Sequence, residues 1–507
     1  MTAPALDTEK VGITRTLAEY LTGLQYDDIP AGAAEAAKIF TLEAVGHMVN
    51  AHAQPVSKLL VNYARELGAA RQASVIGSDL KTSVAEAAYV NGSLAHADEL
   101  ESYGTLPGTG LIPPIVAGLA AGEYANSSGR DFITAVVAGI EMQGRLGMAG
   151  IGACDRGFMG ISLVGVGAAA VTAGRLFGLD VKQLQNALGT ALPLGNGSTR
   201  GCGSMAHVHE AGVPSRSGVF AAQLARQGFT SCEDYLDGAN SWGMQYAGDT
   251  GKRPYDEAKL TEGLGDRLFL QFCGVSPKEY GSCGLTHQTI YGTIEILREN
   301  GIEPDDIASI ELIVPPWADR IASYREPESG EQAKFSIRQG VAGLLVGGIP
   351  ELPYIHAFTD DAARDPRYVA ARRRVTLTVI EGGSNVRGFA DQTVVATLTD
   401  GRVITKVVPS LEAVSHTLEE RIAMFRNTVK PLGAARADQL IDVVMNLEDH
   451  SVPEIAAPIP WPPPPTTSAR SPSSSSLCPA MSSSPARRLR ARRSRPPSGL
   501  GDSSPRR

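Results

Sequence analysis

Up to about residue 270 the apolar residues recur at threes and fours. AGAAEAAKIFTLEAVGHMVNAH, SVAEAAYVNGSLAHADEL, GRDFITAVVAGIEMQGRLGMAG, DVKQLQNALGTAL and VPSRSGVFAAQLARQG each show one apolar face at helical spacing. Beyond that point the period changes. IASIELIVP and RVTLTVIE alternate or carry β-branched runs, and TVVATLTDGRVITKVV does so on both sides of Asp400-Gly401, a hairpin-turn pair. After residue 410, LEAVSHTLEERIAMFRNTV and ADQLIDVVMNLEDH return to helical spacing. The pattern predicts a mainly α fold with a second α+β domain. Residues 1–268 form the all-α domain, 269–408 a smaller α+β lid, and 409–456 helices that return to the first domain. A lid on a helical body leaves a cleft, where small-molecule sites usually lie.

Residues 457–507 belong to a different class. They are Pro/Ser/Arg low complexity without hydrophobic periodicity, too poor in apolar surface to offset the entropy of ordering. Residues 470–507 hold nine arginines and one aspartate, so a chain total of −8 leaves −16 on the rest. An acidic body argues against a nucleic-acid enzyme. GFMGISLVGVGAAAVTAG, residues 157–174, is long and uncharged, but its five glycines favour a tightly packed buried helix over a membrane span. The six cysteines (154, 202, 232, 273, 283, 478) have no repeated spacing, which fits reduced thiols. The N-terminal stretch lacks the apolar run of a signal peptide. A cytoplasmic location is the expectation.

Two segments concentrate chemistry. PKEYGSCGLTH, residues 277–287, gathers Lys278, Tyr280, Cys283 and His287 between proline and glycines, which disfavour a continuous helix. It reads as a loop. THQTIYGTIEILREN then places Thr286 at the N-cap and His287 at the start of a helix, where the positive end of the macrodipole favours a neutral imidazole. A zinc site at Cys283 and His287 would need further ligands at suitable spacing, and none is visible. HADELES, residues 96–102, supplies Glu99 and Glu101. A carboxylate there can act as a base, or orient one, provided burial raises its pKa.

Taken together with DDIPAGAAEAAKIFTLEAVG, NGSLAHADELES, GRLFGLDVKQLQNALG, GVFAAQLARQGFTS and QAKFSIRQGVA, these segments give the chain a resemblance to the MmgE/PrpD family over roughly residues 15–430. That family includes 2-methylcitrate dehydratase, cis-aconitate decarboxylase and iminodisuccinate epimerase. The resemblance implies a large all-α domain with a smaller α+β lid, homodimers, and no metal or organic cofactor. It implies abstraction of a proton next to a carboxylate, followed by loss of water or carbon dioxide or by return of the proton. It also implies that Lys278, Tyr280 and His287 reach into the cleft, and that Glu99 and Glu101 replace the two aspartates of the family's acidic motif.

The departures narrow the reading. Where the family has a histidine after the acidic motif, this chain has Leu106 or Pro107. A second histidine is replaced by Met159. The family's KxxHxG lysine is missing, since no lysine lies between Lys182 and Lys252; His207 stands near its place and His209 near the histidine's. Fewer cations suit a substrate less anionic than citrate. Lys278, Tyr280, His287, Glu99 and His207 are the catalytic candidates, with His209, Glu101, Met159 and Leu106 lining the substrate. Histidines 47, 52, 96, 356, 416 and 450 have no clear claim. The expectation is a cofactor-free lyase acting on a small molecule, without metal, nucleic acid or membrane; the alternatives are an isomerase or epimerase, or a noncatalytic binding protein of the same fold.

Overall fold

A computed structural model describes residues 12–104, 110–381, 390–409, 416–455 and 457. Residues 458–507 of the low-complexity tail, Leu106 and Pro107 lie outside the described residues.

The predicted helices form, most of them within a few residues of their expected bounds. They are α1 (Ala31–Asn50), α2 (Val84–Ala97), α3 (Ile112–Ala125), α4 (Gly129–Gly150), α5 (Gly160–Leu176), α6 (Val181–Ala191) and α7 (His209–Arg226). The glycine-rich run is α5, buried from Ser162 to Gly174. No helix among the described residues is long and apolar enough to cross a membrane. Helices α2, α5 and α7 meet closely because small residues face one another: a Cβ added at Gly92 would lie 2.9 Å from Gly212 Cα. Pro214 sits inside α7, where it cannot donate to Glu210 O. Ser162 Oγ takes that carbonyl instead, at 2.6 Å.

The first region is not wholly helical. Ala73–Ser74 pairs with Lys81–Thr82, and Tyr103–Gly104 pairs antiparallel with Val275–Ser276. Pairs this short carry no readable alternation.

The second part holds α8 (His287–Asn300), β1 (Ile307–Val314), α9 (Ile337–Gly347), β2 (Val375–Val379), β3 (Gln392–Leu398) and β4 (Val403–Val408). The sheet order is β2-β1-β3-β4, with β1 parallel to β2 and antiparallel to β3. Strands β3 and β4 form the expected hairpin, and Gly401 takes the positive φ of 90° that its turn needs. Ile310, Leu312 and Val314 of β1 and Val394, Ala396 and Leu398 of β3 are buried, while α8 and α9 cover the sheet. Two further helices follow, α10 (Leu418–Thr428) and α11 (Ala434–Met445).

The buried apolar residues fall into two cores. One runs from Leu17 to Cys273 and takes in Phe425, Val429, Leu440, Val444, Val452 and Ile455; the other runs from Tyr280 to Leu398. The segment between Cys273 and Tyr280 passes from one core to the other.

Candidate active site

The site begins where α2 ends. Asn50 and Gln54 donate to the Asp98 carboxylate at 2.6 and 2.8 Å, and Lys334 Nζ takes the carbonyl of Ala97 at 2.7 Å. A helix-end carbonyl that would lack a partner is thereby satisfied. Glu99 then adopts φ 54°, a left-handed conformation uncommon outside glycine and asparagine. Such backbone persists where its surroundings fix it, and functional sites are where it concentrates. Four residues on, Tyr103 pairs with Ser276; extending that antiparallel register by two positions sets Glu101 opposite Lys278.

Lys278 Nζ lies 2.8 Å from Glu99 Oε2 and 2.7 Å from Glu101 Oε1. His207 Nε2 lies 2.6 Å from Glu99 Oε1, and its Nδ1 faces Cys202 Sγ at 3.9 Å. His96 completes the group, its ring 4.6 Å from that of His207 and its Nδ1 3.4 Å from Glu101 Oε2. All five side chains are buried; Lys278 is 5% exposed.

Burial favours neutral forms, and here the charges oppose it. It works to raise the Glu99 pKa, but Lys278, His207 and His96 hold the carboxyl well below the ordinary range. Glu101 is lowered chiefly by Lys278 against the same burial. Burial pulls Lys278 and His96 down, yet the carboxylates leave both raised. Glu99 is therefore firmly ionised and a poor base, because the ammonium 2.8 Å away outweighs the desolvation on which its basicity depended.

Tyr280 and His287 occupy a different hollow of about 310 Å³, lined also by Tyr103, Glu279 and Tyr291. Their rings stand 4.9 Å apart. Burial raises the Tyr280 hydroxyl, so it stays protonated. His287 does open α8 and is neutral at physiological pH, its pKa down to about 4, but burial is the first cause and the charge of Lys278 the second. Thr286 stands at the N-cap without capping: its hydroxyl donates to Cys283 O at 2.9 Å and shares a bond with Ser282 Oγ. Lys278 lines its own hollow of about 300 Å³, with Glu43, His47, Leu100, Arg421, Met424 and Phe425. The loop's lysine is thus turned away from its tyrosine and histidine.

His209 opens α7 and Met159 precedes α5; both are half-buried and neither belongs to the hydrogen-bonded cluster. His96 does, although it was not singled out among the histidines from sequence. Its signal was proximity in sequence to the acidic pair, in the last turn of α2 and three residues before Glu99. One ligand-type atom from each of His96, Glu99 and His207 lies within 4.8 Å of the other two, an arrangement able to hold a metal ion.

A helical body joined to a small α+β unit, with a buried lysine bridging two carboxylates between their cores, defines the class. Residues 15–254 match the MmgE/PrpD N-terminal domain and residues 280–447 the MmgE/PrpD C-terminal domain, and the chain belongs to the MmgE/PrpD family. It is 27% identical over 307 residues to cis-aconitate decarboxylase of Aspergillus terreus, covering 57% of this chain and 61% of that protein. The cis-aconitate decarboxylase-like protein oryM of Aspergillus oryzae is 29% identical over 330 residues, covering 60% and 65%. Cis-aconitate decarboxylase of Mus musculus is 25% identical over 364 residues, covering 68% and 72%. The chain thus spans under two thirds of the length of these fungal relatives.

Proposed function

We propose that this chain is a cofactor-free lyase that removes a proton next to a carboxylate or carbonyl and then expels water or carbon dioxide. The observation that carries this reading is the Glu99–His207 contact of 2.6 Å beside Lys278. Glu99 accepts from His207 Nε2–H and orients the imidazole, as a carboxylate does for a histidine base. His207 takes the α-proton, and the C–H electron pair moves into the adjacent carbonyl. Lys278 has three N–H donors, two of them spent on Glu99 and Glu101. The third stabilises the enolate-like oxygen. Collapse of the enolate expels a β-hydroxide, which leaves as water with the proton that His207 carries. Where carbon dioxide leaves instead, that proton returns to carbon at another position, and the C–CO2⁻ electron pair moves into the conjugated system and is quenched by a proton from solvent.

The substrate carries less negative charge than citrate. Two buried carboxylates face one ammonium, His207 and Met159 stand where more basic or polar groups are expected, and each charge-assisted hydrogen bond forgone weakens anion binding by about 1.5–3 kcal/mol. The relatives' printed names point to decarboxylation of a tricarboxylate, so the class of reaction carries over more readily than the substrate. The reading includes a helical domain of residues 1–268, a lid of 269–408 and returning helices of 409–456, supported by the two cores. It also includes a homodimer in the cytoplasm.

Incubation in deuterated water with mono-, di- and tricarboxylic acids tests it. Elimination or carbon dioxide release from a mono- or dicarboxylate is the expected result. Deuterium exchange without net loss would identify an isomerase instead. Turnover confined to tricarboxylates would overturn the substrate reading, and neither exchange nor product would leave a binding protein.

A further inference from the structure

The buried cluster packs two carboxylates and two imidazoles around one ammonium, and each of these side chains is buried. Some of its atoms are left over. Both ring nitrogens of His96 and Oε2 of Glu101 are buried without a hydrogen-bond partner. Such groups are costly to bury, and these converge: His96 Nε2 lies 3.8 Å from Glu99 Oε1, and Nδ1 3.4 Å from Glu101 Oε2. His207 closes the set from the turn before α7, so that three donor atoms from His96, Glu99 and His207 lie within 4.8 Å of one another.

Two imidazoles and a carboxylate are a donor set that first-row divalent ions take, zinc above all. Lys278 already holds the other oxygen of Glu99, the kind of outer contact that aims a ligating carboxylate. The third donor exists only because an imidazole stands at position 207, near the place where the family resemblance expects a lysine; an ammonium at 207 would fill the same space with positive charge.

We propose that His96, Glu99 and His207 form a binding site for a divalent transition-metal ion of the zinc type. The ion engages a His96 nitrogen that no hydrogen bond satisfies. It also displaces the Nε2 proton through which Glu99 orients His207, so an occupied site is an inhibited one. Binding itself does not depend on the lyase reading.

The test uses the full chain, stripped by chelator and dialysed, then titrated with Zn²⁺ by calorimetry near neutral pH. One ion per chain with micromolar or tighter affinity is expected. His96→Ala and His207→Lys should each weaken binding at least about thirtyfold, while His450→Ala, at a half-exposed histidine paired with Glu454, should not change it. Circular dichroism melting shows that the variants fold. Co²⁺ gives a second readout: visible bands of a nitrogen and oxygen site are expected, without thiolate charge transfer. Absence of binding, equal affinity in both variants, or a thiolate band placing the ion on cysteines would overturn the proposal. A chain that binds Zn²⁺ yet turns over no acid would sustain it and refute the lyase reading alone.

Discussion

Glu99 Oε1 and His207 Nε2 lie 2.6 Å apart although 108 positions separate them in the chain. The contact fixes the imidazole's tautomer. Nε2 carries the proton that Glu99 accepts, and Nδ1 is left on the side of Cys202, 3.9 Å from its sulfur. A carboxylate held ionised by Lys278 keeps that orientation through the physiological pH range.

Replacing His207 by glutamine keeps a donor toward Glu99 but removes a group that can carry a proton. Turnover should fall by about 10²–10⁴-fold, the usual contribution of a positioned base. The melting temperature should move by only a few degrees. A rate profile that keeps its wild-type pH dependence in His207→Gln would remove His207 from proton transfer.

Lys278→Met should cost stability as well as activity. The ammonium is buried against two carboxylates, and removing one member of such a group leaves uncompensated charge, worth about 3–5 kcal/mol. Calorimetric unfolding should show a drop of several degrees. Neutralising the carboxylates in the triple variant Glu99→Gln, Glu101→Gln, Lys278→Met should recover most of it. An unchanged melting temperature in the single variant would mean that the lysine is solvated rather than buried.

The acid limb of stability should report His287. Burial and Lys278 hold its pKa down to about 4, against about 6.5 in the unfolded chain. Below pH 6.5 the unfolded state takes up a proton that the folded state refuses. Stability is therefore lost as pH falls from 6.5 to about 4, by at most about 3 kcal/mol. His96 has the opposite sign: its raised pKa contributes stability below its unfolded value, which is lost as pH rises through the folded one. In melting curves between pH 7 and 4.5, His287→Gln should flatten the acid-side decline. A decline as steep as wild type would assign it to other groups.

Truncation after residue 456 should leave melting temperature and turnover unchanged, since the sequence beyond it has no core pattern. Truncation after residue 450 should not, because Val452 and Ile455 are fully buried in the first core. Losing two such side chains costs several kcal/mol. A destabilised long variant would show that the Pro/Ser/Arg tail contributes to folding.

Much of the fold was legible because helices and strands are set by short-range periodicity. The run at 157–174 reads as a buried helix from its glycines alone, and the hairpin at Asp400-Gly401 follows from its turn residues. Thr286 was misjudged as a capping side chain because a 3₁₀ turn, Gly284–Thr286, precedes α8 and offers its hydroxyl nearer acceptors. Sequence order also made Lys278, Tyr280 and His287 look like one trio.

Local pattern fixed which segments are helical, where the chemistry-bearing loop lies, and which family the chain resembles, since each depends on residues a few positions apart. Which side chains share a site was decided by packing. Lys278 reaches Glu99 across 179 positions, and the short pairing of Tyr103 with Ser276 and the left-handed turn at Glu99 help bring them together. Ionisation was decided there too. From sequence, Glu99 is a base if burial raises its pKa; in the fold the same burial comes with an ammonium at 2.8 Å, and at that distance in a dry interior the charge prevails over desolvation.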